Sequence, residues 1–147
     1  MNTSAIEITD LLPQKPPFIF VDRLLEFGME VSLAEFEVTG DCIFLRDGVL
    51  SEAGLLENIA QSCAARIGYL YKYIYHKDVR IGIIGSVRNL VISALPPQGI
   101  VLLTRVEFMA EALDLSKVRA EVRTGDRMWA SGEIVLSLTG IQAEFEK

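Results

Sequence analysis

Histidine is almost missing from this chain, which carries one, His76. Histidine is the commonest general acid and base, so any proton transfer must use His76, proceed through another group, or draw on a second chain. Cysteine is nearly as scarce. Cys42 and Cys63 have neither metal-ligand nor redox spacing, and two are too few for a disulfide scaffold. No metal site and no cofactor is therefore expected, and Cys63 reads as a small core residue on a helix. Positive charge is short as well: 14 Lys+Arg against 20 Asp+Glu leave a formal charge of −6. That argues against a nucleic-acid partner, since such binders are basic. No apolar run approaches the roughly 20 residues that span a bilayer, so no membrane span is expected. The stretch from Met1 to Asp10 lacks the basic and apolar regions of a secretory signal. The cytoplasm, with both thiols reduced, is the expected compartment.

What remains is a chain of 147 residues and 16.3 kDa, half of them hydrophobic and 23% charged, with a mean hydropathy of +0.33. It buries enough apolar surface to exclude disorder, and residues 1–147 read as one domain. Ala5 to Leu12 reads as a short helix stopped by Pro13 and Pro16-Pro17. Phe18 to Phe27 and Val31 to Val38 read as a hairpin turning near Gly28-Met29, closed by a polar turn at Thr39-Gly40-Asp41. Ser51 to Tyr75 is the one long helical candidate, roughly 38 Å at 1.5 Å per residue. Ser51 suits the N-cap and Glu52 the positive end of the dipole. Leu56, Ile59, Ala60, Cys63, Ile67 and Leu70 recur at helical spacing, while Ala53, Gly54, Ala64 and Gly68 allow close packing around the helix. Arg80 to Ile92, Ile100 to Ala112, Leu115 to Thr124 and Met128 to Leu138 then follow as strands. Segregated helices and strand runs mean α+β. The expected architecture is a hotdog fold, a long central helix wrapped by a curled antiparallel sheet of about six strands.

The residues also carry a family likeness. Leu11-Leu12-Pro13-Gln14-Lys15-Pro16-Pro17-Phe18-Ile19-Phe20-Val21-Asp22-Arg23 resembles the opening Leu-Pro-His-Arg-x-Pro-Phe-Leu-Leu-Val-Asp-Arg of the 3-hydroxyacyl-[acyl-carrier-protein] dehydratases of fatty-acid synthesis. Gly54 to Ser62 resembles their helix motif Leu-x-x-Glu-Ala-x-Ala-Gln-Ala. Gly85 to Leu90, Pro96 to Gly99 and Gly132-Glu133-Ile134 resemble later stretches. The departure lies in the histidines. The family's catalytic His-Phe-Pro-Gly histidine lies fourteen residues before the helix glutamate. Counting back from Glu57 reaches Ile43, and Cys42 to Gly48 holds no histidine. Gln14 replaces the histidine of Leu-Pro-His. The chain is similar instead to the branch of aryl-polyene and flexirubin-type clusters, whose dehydratase-like proteins work as heteromeric pairs and share a Gly-Leu-Glu-x-Met-Ala-Gln motif.

This resemblance implies dehydration of a 3-hydroxyacyl thioester carried on an acyl carrier protein or coenzyme A. Such chemistry needs a base for the α-proton, an acid for the departing hydroxyl and donors for the thioester oxygen. Glu57 is the carboxylate candidate, and a carboxyl buried at a helix flank is driven toward the range useful for proton transfer. Gln61, one turn on and roughly 40° around, is placed to orient it. The backbone N–H groups of Ala53 and Gly54, in the first turn, are candidates for the thioester oxygen, and Gln14 completes the expected substrate-binding set. Alone, Glu57 reads as readily as a solvated helix carboxylate. With Gln61, Ala64 and Gly68, however, it forms one narrow face of two polar and two small residues, which points to a cleft. His76, nineteen residues away and roughly 28 Å along a straight helix, reads as a C-cap. Lys15, Lys72, Lys77, Arg80 and Arg88 read as solvated charges, and Tyr69, Tyr71, Tyr73 and Tyr75 as a cover for the helix end.

Three functions follow for test: a dehydratase active by itself, an incomplete subunit or acyl-binding protein paired with a histidine-bearing hotdog chain, and a hotdog thioesterase. A homodimer or higher oligomer is expected, or a heterodimer with a second hotdog protein, since edge-to-edge pairing hides exposed strand edges.

Overall fold

The computed structural model describes residues 1–145. Its long helix, α1 (Glu52–Tyr69), begins where the sequence places it: Ser51 is extended and its hydroxyl accepts from the Gly54 N–H at 3.3 Å. The helix continues as a π-helical segment, Leu70–Tyr75, and stops at His76. His76 is in the left-handed conformation with φ 53°, and its N–H donates to the Tyr71 carbonyl. The expected C-cap is thus made by the backbone of His76.

The described residues form eight strands besides α1. They are β1 (Arg23–Glu26), β2 (Val31–Glu37), β3 (Leu45–Arg46), β4 (Val49–Leu50), β5 (Arg80–Ile92), β6 (Val101–Ala112), β7 (Leu115–Thr124) and β8 (Arg127–Gln142). Six of them form one antiparallel sheet in the order β1-β2-β6-β7-β8-β5. The β6-β7-β8 meander is built on tight turns at Leu113-Asp114 and Gly125-Asp126, where Leu113 and Gly125 both have φ 58°. β5 arrives from α1 and pairs with the far side of β8, which leaves it at the edge. This is the hotdog fold.

α1 lies on the concave face of the sheet through a core of Phe36, Ile59, Cys63, Leu102, Trp129 and Ile134, among others. A second apolar cluster, including Leu11, Leu12, Val21, Leu24, Ala65 and Tyr69, lies under the N-terminal segment. The helix is therefore buried on two sides, as its stripe of small residues predicts. At Gly68 an added Cβ would stand 2.3 Å from the Leu11 carbonyl oxygen, so backbone passes directly over the helix there. Tyr69 packs on Phe27 and Tyr73, with ring centroids 4.6 and 5.1 Å away.

Three local readings change. The helix expected over Ala5 to Leu12 is only a 3-10 turn, Ile8–Asp10. Upstream of it, Thr3 is drawn onto β1, its hydroxyl donating to the Leu24 carbonyl at 2.6 Å. The first strand begins at Arg23 rather than Phe18, because side chains of α1 take the polar groups of residues 18–20. The polar loop after β2 contains the small β3-β4 hairpin, turning at Asp47 and Gly48 with φ 52° and 80°.

Candidate functional site

Residues 11–20 run back along α1, and side chains of the helix hold them there. The Phe20 N–H donates to Gln61 Oε1 at 2.7 Å, and Gln61 Nε2 donates to the Phe18 carbonyl at 2.8 Å. One turn earlier, Asn58 Nδ2 donates to the Phe20 carbonyl at 2.8 Å. Its Oδ1 accepts from Thr104 Oγ1 at 2.6 Å, which ties the same helix to β6. Asn58, Gln61 and Thr104 are all buried, and buried polar groups of this kind must be paired. Asn58 was missed by the sequence reading. Its signal was available as a polar residue three before Gln61 within an apolar helix.

Gln61 has one further donor hydrogen, and it goes to Glu57 Oε1 at 2.8 Å. Every hydrogen-bonding position of the Gln61 amide except one oxygen lone pair is then used. The carboxylate that it holds is half-buried and lines a cavity of about 340 Å³. Ala60, Gln61 and Ala64 form the cavity floor on α1, Leu11, Pro13 and Gln14 one wall and Val79 to Ile84 the other. The cleft expected from the Glu57, Gln61, Ala64 and Gly68 face is present through Ala64, and Gly68 serves instead as the crossing point for Leu11.

Gln14 stands in the same cavity, and its Oε1 is buried without a hydrogen-bond partner among the described residues. A buried acceptor left unpaired costs about 1–3 kcal/mol. The other two expected substrate contacts lie elsewhere. Ala53 is exposed, the Gly54 N–H is engaged by Ser51, and neither lines this cavity. Gly54 packs tightly: a Cβ there would meet the Leu50 side chain at 2.4 Å.

Histidine takes no part in the cavity lining. Ile43, at the position of the family histidine, is 41% exposed, and Phe44 beside it stacks on Phe20 with centroids 5.1 Å apart. His76 is exposed at the opposite end of the helix. Of the five basic residues, Arg80 is held at the rim, donating to the Thr139 carbonyl at 2.6 Å and pairing with Asp114 at 3.2 Å. Lys72 donates to the Asp10 carbonyl, and Lys15 and Arg88 are exposed. Among the described residues no group of His, Cys, Asp and Glu is arranged to hold a metal, and no helix is long and apolar enough to cross a membrane.

The β5 wall is the open side. This edge strand exposes Ile83, Ile84, Val87, Leu90 and Val91, with Ile83 at 54% and Val91 at 56%. Ile83 and Ile84 also line the cavity, so the cavity wall and the exposed edge share residues.

Comparison with known proteins gives the same fold. The chain is similar in structure to the dehydratase heterocomplex ApeI:P from Xenorhabdus doucetiae, with a TM-score of 0.85, 16% identity and 92% of each chain covered. It is similar also to Cj0977, a sigma28-regulated virulence protein from Campylobacter jejuni (TM-score 0.68, 14% identity, 95% of this chain and 94% of that one). A third is a hypothetical thioesterase with coenzyme A from Streptococcus pneumoniae TIGR4 (TM-score 0.64, 10% identity, 81% and 86%). No curated protein sequence matches the chain. The model of the ApeP-like family, described as ApeP dehydratase, matches residues 6–142, and the chain belongs to that dehydratase-like hotdog family.

Proposed function

We propose that this protein is the carboxylate-bearing half of a two-chain dehydratase acting on 3-hydroxyacyl thioesters, on a carrier protein or coenzyme A. The observation that carries the reading is the Gln61–Glu57 clamp. It fixes a half-buried carboxylate in a cavity that contains an unpaired acceptor on Gln14 but no histidine. A second hotdog chain laid along β5 would cover Ile83 and Ile84, close the cavity and bring a histidine to its open side. The similar Xenorhabdus doucetiae structure, being a dehydratase heterocomplex, supports this pairing.

In this reading the substrate's C3 hydroxyl lies in the cavity that Gln14 also lines and accepts a proton from Glu57. The partner's base takes the C2 proton. The C2–H electrons form the C2=C3 bond, the C3–O bond breaks with its pair on oxygen, and water and a 2-enoyl thioester leave. The proton on the base returns to the Glu57 carboxylate through solvent. Gln61 is a positioning residue that keeps Glu57 on the hydroxyl side. The Gly54 N–H is committed to Ser51, so of the two only Ala53 remains a candidate for the thioester oxygen, on a path that the paired chain completes.

The test is co-purification with a histidine-bearing hotdog chain, followed by assay of 3-hydroxyoctanoyl thioester dehydration. The pair should turn over and this chain alone should not. Glu57→Gln should lower kcat by about 10²–10⁴, the usual contribution of a general acid. Turnover by the chain alone, or full activity in Glu57→Gln, would overturn the proposal. Thiol release without enoyl product would favour the thioesterase reading instead.

A further inference from the structure

A second cavity, of about 620 Å³, lies on the other flank of α1, between the end of the helix and the ends of β2, β6, β7 and β8. The proposed dehydration makes no use of it. Arg66 lies in its lining, nine residues after Glu57 and so, at 100° per residue, about 180° around the helix from it. Arg66 is only 6% exposed. Its Nη2 donates to the Met29 carbonyl at 2.9 Å, and its guanidinium lies 5.1 and 5.9 Å from the Phe108 and Phe27 ring centroids. Nε is buried with no hydrogen-bond partner, and no carboxylate pairs with Arg66 among the described residues. Burial pulls its pKa below the usual guanidinium value, and the Glu111 carboxylate, too far for an ion pair, only partly offsets that desolvation.

The rest of the cavity selects the counter-ion. Leu70, Phe108 and Leu138 offer it apolar surface. Arg105 and Glu107 neutralise each other at 2.8 Å. Glu30 and Glu111 are exposed lining residues whose charges water screens; they repel any anion, and a doubly charged one about twice as strongly. A guanidinium fork matches a carboxylate through two parallel N–H bonds. We propose that this cavity is a second ligand site, which takes an amphiphilic monocarboxylate with its head on Arg66 and its chain along the apolar wall.

Titration calorimetry of the full chain with octanoate tests the proposal, with 1-octanol and inorganic phosphate as the other arms. Octanoate should bind at least tenfold more tightly than either, and Arg66→Gln should weaken it at least tenfold, about 1.4 kcal/mol. Glu57→Gln should leave octanoate binding unchanged, which separates this site from the Glu57 cavity. Should Arg66→Gln not fold, Met109→Trp, a substitution at a partly exposed residue lining the cavity, should give the same tenfold loss. Equal octanoate affinity in the variant that folds, phosphate binding as tight as octanoate, or no binding up to about 5 mM would each overturn it.

Discussion

At the scale of single residues, the polar side chains of α1 do two jobs that the helix pattern does not separate. Glu57 faces the cavity, while Gln61 and Asn58 hold the crossing segment at Phe18 and Phe20. Gln61→Leu would strand the buried Phe20 N–H and the Phe18 carbonyl. It should lower stability by about 2 kcal/mol in urea denaturation, because unmet buried groups keep their full desolvation cost. Cys63 shows burial acting on a titrating group: desolvation pushes its thiol up to about 12 from 9.0. The native thiol should therefore resist iodoacetamide at pH 8, where an unfolded chain reacts. The sign for stability follows from proton uptake. Between about pH 9 and 12 the unfolded state has lost this proton and the folded state keeps it. Stability from the thiol is thus intact below pH 9 and is lost as pH rises toward 12, which denaturation at pH 8 and pH 10.5 measures.

At the scale of elements, α1 is defined by what crosses it. Alanine in place of a helix glycine ordinarily gains about 1 kcal/mol of propensity. At Gly68 the new methyl would meet the Leu11 carbonyl oxygen at 2.3 Å, and a backbone atom cannot turn aside as a side-chain tip can. Gly68→Ala should therefore destabilise by about 1–3 kcal/mol despite the propensity gain, read as a lower melting temperature. Ser51→Ala removes the acceptor at the opposite end and should cost about 1 kcal/mol in the same measurement.

At the scale of the molecule, the β5 edge is where the proposed pairing with another chain is tested. Five large apolar residues exposed along one strand with unpaired backbone groups favour continuation of the sheet into another chain. Ile83→Lys places a charge on that edge and at the cavity wall together. Sedimentation should show loss of the paired species, and dehydration by the reconstituted pair should fall with it. A change in neither would place the contact elsewhere on the surface.

The linear pattern of residues set the elements and their kind. Local periodicity, turn residues and caps set α1 and the strands β5 to β8 to within a residue or so at most ends, because these features act over three or four neighbours. It also determined that Glu57 and Gln61 share a helix face and that histidine is missing where the family carries it. Long-range contacts decided the rest. Only the folded chain brings Gln14 beside Glu57, and only it diverts Phe18 to Phe20 from a strand to the helix side chains. The Gly54 N–H went to Ser51, a capping bond that competes with any ligand. Arg66 illustrates the division most clearly. In the sequence it is one more charge on a long helix. In the fold it is buried without a counter-ion, because desolvation depends on what packs around a residue and not on its neighbours in the chain.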